Sequence, residues 1–394
     1  MPWLSSAAFA IAVPCGAAVD PVDGSGLSHM VCEMVLRGAG KYDNRGFVTA
    51  LENLGVEWDD TVAAAHTYFS GACVADRLPQ ALEIFADVLR RPRFDPAELE
   101  PARAGILQEI QAIEDEPGDK VMRALRRRFF PFPWGRHALG EREVVENATL
   151  DDIVGQFERH YRPNGCLIGI AGKFDWDDVC KHIERLLGDW APREASTIED
   201  SPAEGGVLHI PYDSHQTHIA VAYPSVPYNH RDYFLARGAV GALSGGMSAR
   251  LFTEIREKRG LCYSVGASYR SLKHTAGVFC YAGTTADRAQ QTLDVLLAEL
   301  KRLAEGIRPE ELQRLKARVK SGLVMQQESS SSRAGNLIHD YYHLGHTRTL
   351  DELAALIDGL THDAINDYLR RNPPGDFAIV TVGPEPLEVS GGVR

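Results

Sequence analysis

A chain of 394 residues with 44% apolar and 24% charged residues is an ordinary globular protein, long enough for more than one full core, and disorder is excluded as its main state. A net charge of −12 argues against nucleic acid or an anionic membrane as partner and favours basic or unstructured peptides. Seven cysteines, odd in count and without a C-x-x-C pair, predict reduced thiols, mostly buried.

The apolar start, Met1 to Ala18, has no Lys or Arg before it and is interrupted by Pro14, so Ala7 to Val13 reads as a buried strand and no cleaved signal is expected. No uninterrupted apolar run of about twenty residues predicts a membrane span. A cytoplasmic location is expected, with the periplasm as the alternative.

From Gly24 to Leu36, the spacing of Leu27, Met30, Val31, Met34 and Val35 predicts a helix closed by Gly38 and Gly40. His29 and Glu33 stand four apart on it, and Cys32 three from His29, so the three side chains share one face. That is metal-site spacing, and imidazole, thiolate and carboxylate all bind zinc. A hydrolase also needs a general base for the metal-bound water, and this turn holds no uncommitted carboxylate for that task.

A second helix is predicted over Asn44 to Leu54, stopped by Gly55, followed by strand over Thr61 to Val74 and helix over Arg77 to Leu89. Asp95-Pro96 opens a long amphipathic helix with Leu99, Ile106, Leu107, Ile110 and Ile113 on one side, so Glu109 is helical too. The cluster Arg126-Arg127-Arg128 reads as a solvated helix end.

Next comes a helix–turn–strand unit: Thr149 to Tyr161, Pro163-Asn164-Gly165, then Cys166 to Ala171 and Gly172. Thr361 to Tyr368, Pro373-Pro374-Gly375, then Phe377 to Val382 and Gly383 repeat it at an offset of about 212 residues. Asp95-Pro96-Ala97-Glu98-Leu99 returns as Arg308-Pro309-Glu310-Glu311-Leu312 at nearly the same offset, so an internal duplication is the economical reading. Residues 192–206, rich in Pro, Glu, Ser, Ala and Gly, form the expected linker between domains 1–191 and 207–394.

The second half reads as strand (Thr217 to Ala222), helix (Asp232 to Leu243), a Gly245-Gly246 turn, helix (Ala249 to Lys258), and strands Cys262 to Tyr269 and Val278 to Gly283. Helices follow over Arg288 to Leu303 and from Pro309 toward Ser330, with Ser329 to Ser332 as a break. The fold class expected is α+β: two homologous halves, each a mostly antiparallel sheet covered by helices.

Gly26-Leu27-Ser28-His29, with Glu109 in Ile106-Leu107-Gln108-Glu109-Ile110, resembles the M16 peptidases, the pitrilysin or insulinase family. Its members open with G-L-x-H-x-x-E-H, two His binding zinc and the Glu acting as base, and a third ligand Glu follows downstream. Here Cys32 stands at the base position and Glu33 at that of the second His. The likeness continues through Phe132-Pro133-Trp134-Gly135-Arg136-His137, Leu139-Gly140, Tyr161-Arg162-Pro163-Asn164 and Gly172 in the first half. In the second half it runs through Gly245-Gly246-Met247-Ser248-Ala249-Arg250-Leu251 and Arg256-Glu257-Lys258-Arg259-Gly260-Leu261-Cys262-Tyr263.

The resemblance implies that Arg256 and Tyr263 contact the peptide at the scissile bond, a multi-donor cation and a phenol suited to a carbonyl. It also implies a heteromeric arrangement in which a partner carrying H-x-x-E-H supplies zinc and base. This chain would then be the substrate-binding subunit, inactive alone, and an extended or unfolded peptide would add to a sheet edge. No metal is expected in the chain itself; weak residual zinc binding by His29, Glu33 and Glu109 is the alternative. Two other readings stand beside this one: a stand-alone metallopeptidase with a His/Glu/Glu site, and a non-catalytic structural or peptide-holding protein. A hetero-oligomer is expected, with a homodimer as the alternative. His339 and His343, with His346 nearby, read as a polar helix face, and Gly245-Gly246 as a plain turn.

Overall fold

The structure, a computed structural model, describes residues 1, 3–195 and 197–389. The first half of the chain runs β1 (Ser6–Val13), α1 (Leu27–Leu36), β2 (Gly38–Ala39), β3 (Tyr42–Asp43), α2 (Asn44–Leu54), β4 (Glu57–Val62), β5 (Thr67–Val74), α3 (Leu78–Arg90), α4 (Leu99–Asp115), α5 (Pro117–Phe129), α6 (Arg142–Asn147), α7 (Leu150–His160), β6 (Leu167–Gly172) and α8 (Trp176–Leu187). The second runs β7 (Val207–Pro211), β8 (Gln216–Ser225), α9 (Tyr233–Ser244), a π-helical turn (Phe252–Glu257), β9 (Cys262–Ser271), β10 (Ala276–Thr285), α10 (Ala289–Arg302), α11 (Pro309–Glu328), α12 (Ser330–Leu344), α13 (Leu350–Asp358), α14 (His362–Arg371) and β11 (Ala378–Gly383).

One sheet has the order β4-β5-β1-β6, all antiparallel. Its central strand β1 shows why both faces are covered. Ala8, Ala10 and Ala12 line one face, and their small size lets α12 pack close through Ala334 and Ile338. Phe9 and Ile11 line the other, where Phe9 meets Phe85 of α3 edge-on at 5.0 Å between ring centroids. The second sheet has the order β7-β11-β8-β10-β9, antiparallel except for the parallel pair β7 and β11. Ile219 and Val221 of β8 pack with Leu293, Leu296 and Leu300 of α10 on one face. On the other, Phe129 and Phe130 at the end of α5 lie 5.1 and 5.4 Å from Phe279 of β10.

The α+β class with two like halves is therefore what the chain forms. Its compact units, however, are not consecutive stretches. One comprises Met1–Ala112, Phe132–Ser201 and Gln326–Thr347, the other Ile113–Pro131, Pro202–Met325 and Arg348–Arg394. The helix that follows the first long helix, α5, covers β8 and β11, and the helix that follows the second, α12, covers β1 and β6. Duplicated helix pairs have exchanged their second members. The segments 1–191 and 207–394 thus follow the sequence repeat, whereas side-chain packing follows the exchange. Ser196 of the expected linker and residues 390–394 lie outside the described residues.

Three local readings change. The single strand expected over Thr61 to Val74 is a hairpin: β4 and β5 meet through Ala63–His66, where the Ala63 amide donates to the His66 carbonyl, a turn without Gly or Pro to mark it. The helix expected over Ala249 to Lys258 is largely π-helical. Arg126 to Arg128 end α5 but are not simply solvated: Arg126 lies over the Phe130 ring, and Arg128 donates through Nε to the Gly205 carbonyl at 2.8 Å.

Candidate functional site

The entry to α1 is built by Asp20. Its carboxylate accepts from the Gly26 amide at 2.7 Å, the Ser28 amide at 2.8 Å and the Ser28 hydroxyl at 2.6 Å, satisfying the free donors of the first turn. Gln156 of α7 donates to the same carboxylate at 3.3 Å. Burial pushes the Asp20 carboxyl up to about 6, against these hydrogen bonds.

From this fixed helix His29, Cys32 and Glu33 project, each to a different neighbour. His29 Nε2 lies 3.9 Å from Glu109 Oε2 on α4, too far for a hydrogen bond, and neither ring nitrogen has a hydrogen-bond partner among the described residues. Burial lowers the imidazole to about 4, so it is neutral at pH 7 and no ion pair forms with Glu109. Cys32 is fully buried, and its Sγ donates to Asp60 Oδ2 of β4 at 3.2 Å. Burial, then the charges of Asp60 and Glu33, push that thiol far up, so it stays protonated. Glu33 accepts from Arg37 Nη2 at 3.4 Å, one turn on; Arg37 also pairs with Glu98 at 3.2 Å, and Asn44 donates to Glu98 at 2.8 Å.

Burial raises the carboxyls of Glu33, Asp60 and Glu109, and mutual repulsion adds to it: Asp60 and Glu109 act on Glu33, and Asp60 on Glu109. The structure thus brings His29 to Glu109 but turns Glu33 toward Arg37. Among the described residues no group of three or more His, Cys, Asp or Glu side chains stands in a metal-holding arrangement.

Sequence reasoning missed Asp60 and Arg37. Asp60 could have been found from strand alternation, since Trp58, Asp60 and Val62 share the inward face of β4; the polar run Glu57-Trp58-Asp59-Asp60 hid the strand's true start. Arg37 follows Glu33 by one helical turn, and that spacing was its signal.

Arg256 and Tyr263 belong to the second sheet's unit and do meet. The guanidinium carbon lies 4.5 Å from the Tyr263 ring centroid and 4.7 Å from that of Phe252. The segment joining them is pinned. The Leu261 amide donates to the Ile255 carbonyl at 3.0 Å, the Thr284 hydroxyl to the Leu261 carbonyl at 2.5 Å, and Arg288 to the Gly260 carbonyl at 2.7 Å. Tyr263, at the start of edge strand β9, is 82% exposed despite this anchoring. His339 and His343, with ring centroids 4.5 Å apart on α12, do not form the polar face expected of them: His343 is buried.

Duplicated α+β halves with exchanged helices, and an imidazole on the first helix facing a carboxylate on a later long helix, define a metallopeptidase-like fold. Residues 3–141 match the family model described as insulinase (peptidase family M16), and residues 147–319 the one described as peptidase M16 inactive domain. An uncharacterized zinc protease of Rickettsia bellii is 26% identical over 390 residues, spanning 98% of this chain and 94% of its own. Among solved structures, a peptidase M16 inactive domain from Pseudomonas fluorescens superposes with a TM-score of 0.88 at 20% identity, covering 99% of this chain and 96% of that one. A protease from Helicobacter pylori gives 0.86 at 18% identity, covering 96% and 94%. The chain belongs to the insulinase, or M16, peptidase family.

Proposed function

We propose that this chain is the substrate-holding, zinc-degenerate subunit of a heteromeric M16-type peptidase. The observation that carries the reading is the state of the two changed positions. Where the family has its base, Cys32 is a protonated thiol bound to Asp60, and where it has its second imidazole ligand, Glu33 is neutralised by Arg37. His29 alone is suited to ligate zinc, as a neutral imidazole with both nitrogens uncommitted. One such donor beside a half-exposed Glu109 does not fit the zinc that the family implies. The chain is accordingly inactive alone; metal and base come from a relative carrying H-x-x-E-H.

This chain's own contribution is Arg256 and Tyr263, offered to an extended peptide as hydrogen-bond donors. The guanidinium makes no hydrogen bond or ion pair with any described residue, so its donors are available. Two unpaired sheet edges support strand addition as the binding mode: β4 beside α1, and β9, which begins at Cys262 next to Tyr263. No helix among the described residues is long and apolar enough to cross a membrane.

The test is to mix the pure chain with a relative from the same organism that carries intact H-x-x-E-H and to assay peptide cleavage. Cleavage by the mixture and by neither chain alone is expected. The second reading, a stand-alone metallopeptidase, is favoured by one observation, the uncommitted His29 imidazole. Hydrolysis by the pure chain that chelator and Glu109→Ala both abolish would establish it instead.

A further inference from the structure

Two rings flank the Arg256 guanidinium, Phe252 at 4.7 Å and Tyr263 at 4.5 Å, and no carboxylate or carbonyl among the described residues claims its N–H groups. Nearby cations are committed. Lys258 and Arg259 bind Glu254 at 2.7 and 2.9 Å, and Arg302 binds Glu299 at 2.7 Å. Glu254 and Glu299 are thus paired with other cations, and aromatic faces rather than a carboxylate hold Arg256.

A free arginine carries several rotatable bonds, and ordering it on binding costs affinity. Rings stacked against its face remove that freedom beforehand while leaving the in-plane N–H groups open. Phe252 and Arg256 are four apart within the π-helical turn Phe252–Glu257, whose wider winding sets residues four apart more nearly one above the other than an α-turn does. Tyr263 is 82% exposed and reaches Arg256 from the far end of the pinned segment, so Phe252 is the half-buried, fixed member of the stack.

We propose that Phe252 is a positioning residue for peptide binding. Through the π-turn it holds the Arg256 guanidinium edge-on to the ligand, and it touches no substrate itself. This rests on the reading of Arg256 as a peptide contact, and the test separates the two.

In the free chain, the Arg256 Nε–H resonance, assigned by its loss in Arg256→Lys, reports the stack as an upfield ring-current shift. Phe252→Leu is expected to shift it downfield and Phe252→Tyr to restore it. The binding probe is fluorescein-labelled, reduced and alkylated lysozyme, an unfolded basic polypeptide, followed by anisotropy. Phe252→Leu should weaken binding about fivefold, the scale of one cation–π contact, and Phe252→Tyr should return it to the parent value. Circular dichroism and an unchanged melting midpoint select folded variants, and Phe252→Met stands in if Phe252→Leu does not fold. An unmoved resonance in Phe252→Leu overturns the proposal. So does unchanged binding in Phe252→Leu where Arg256→Ala weakens it, since Phe252 then holds the arginine to no effect. If Arg256→Ala itself leaves binding unchanged, the peptide-contact reading falls, and the proposal with it, while the resonance still reports whether the stack exists.

Discussion

The Cys32 thiol donates to the Asp60 carboxylate across 3.2 Å, joining the helix that should carry a catalytic base to the edge strand beside it. Cys32 is fully buried and Asp60 half-buried, so each partly satisfies the other.

Rebuilding the family motif with Cys32→Glu and Glu33→His therefore sets a new carboxylate against Asp60 and strips Arg37 of one partner. The double variant should unfold roughly 1–3 kcal/mol more easily than the parent, and adding Asp60→Ala should recover most of the loss. Urea denaturation of the three proteins checks this; equal stability of the double and triple variants would show that Asp60 does not oppose the motif.

Thiol reactivity should single out Cys180, the one cysteine described as exposed. Burial pushes the Cys15, Cys166 and Cys280 thiols up to about 12, and the Cys32 thiol well above its ordinary value. With a disulfide reagent at pH 8, one thiol per chain should react rapidly and the others only on unfolding. Rapid loss of the Cys32 thiol, read by peptide mapping, would contradict its burial.

Acid should weaken the first unit through His29. Its folded value, about 4, lies below the ordinary 6.5, so the unfolded chain binds the proton first. The stabilisation is complete above pH 6.5 and is lost as pH falls toward 4, on the order of 3 kcal/mol at most. The raised carboxyls of Glu33 and Asp60 act in the opposite sense at lower pH, so the comparison needs His29→Leu, whose unfolding free energy should fall less steeply between pH 6.5 and 4. Parallel curves for parent and variant would refute the assignment.

Glu311 should be among the costliest single losses in the second unit. It receives Arg250 in two parallel bonds of 2.8 and 2.7 Å and the Arg308 amide at 2.7 Å, with only 3% of its side chain exposed. These partners outweigh burial and hold its carboxyl at about 2. Glu311→Ala leaves a buried guanidinium unpaired, and a loss of roughly 3–5 kcal/mol is expected in chemical denaturation. A loss below about 1 kcal/mol would mean that water replaces the pair.

Gly140 should tolerate no side chain. Its φ is +72°, and a Cβ there would overlap the Ser25 carbonyl oxygen and the Gly26 Cα just before α1. Gly140→Ala should cost roughly 2–4 kcal/mol and shift the His29 helix, which ring-proton resonances of His29 would register. Unchanged stability and resonances would show that the chain relaxes around it.

Much of this protein was legible in one dimension because the signals are local. The helix over Asn44–Leu54 announces itself by apolar period and its closing Gly55, and Thr149 marks the start of α7 with a capping box to Asp152. The duplication is a comparison of the chain with itself, and the family follows from residues around His29 and Arg256. What depends on distance through space was not legible. Asp60 meets Cys32 because β4 lies against α1, and the alanine turn that ends β4 carries no signal to mark the strand. Phe252 meets Arg256 through a change of helical pitch that hydrophobic periodicity does not encode, whereas the Arg37–Glu33 pair stood in the sequence as a one-turn spacing.

The exchange of α5 and α12 is the clearest case. Each has an amphipathic face, and its periodicity alone does not say which sheet that face covers. The choice is made by shape: the alanine face of β1 admits α12 closely, and Gly277 of β10 leaves room for the Phe129 ring of α5. Sequence alone determined the order of elements, their repetition and the family. Only packing decided which helix covers which sheet and that Asp60 meets Cys32, since both turn on contacts between residues far apart in the chain.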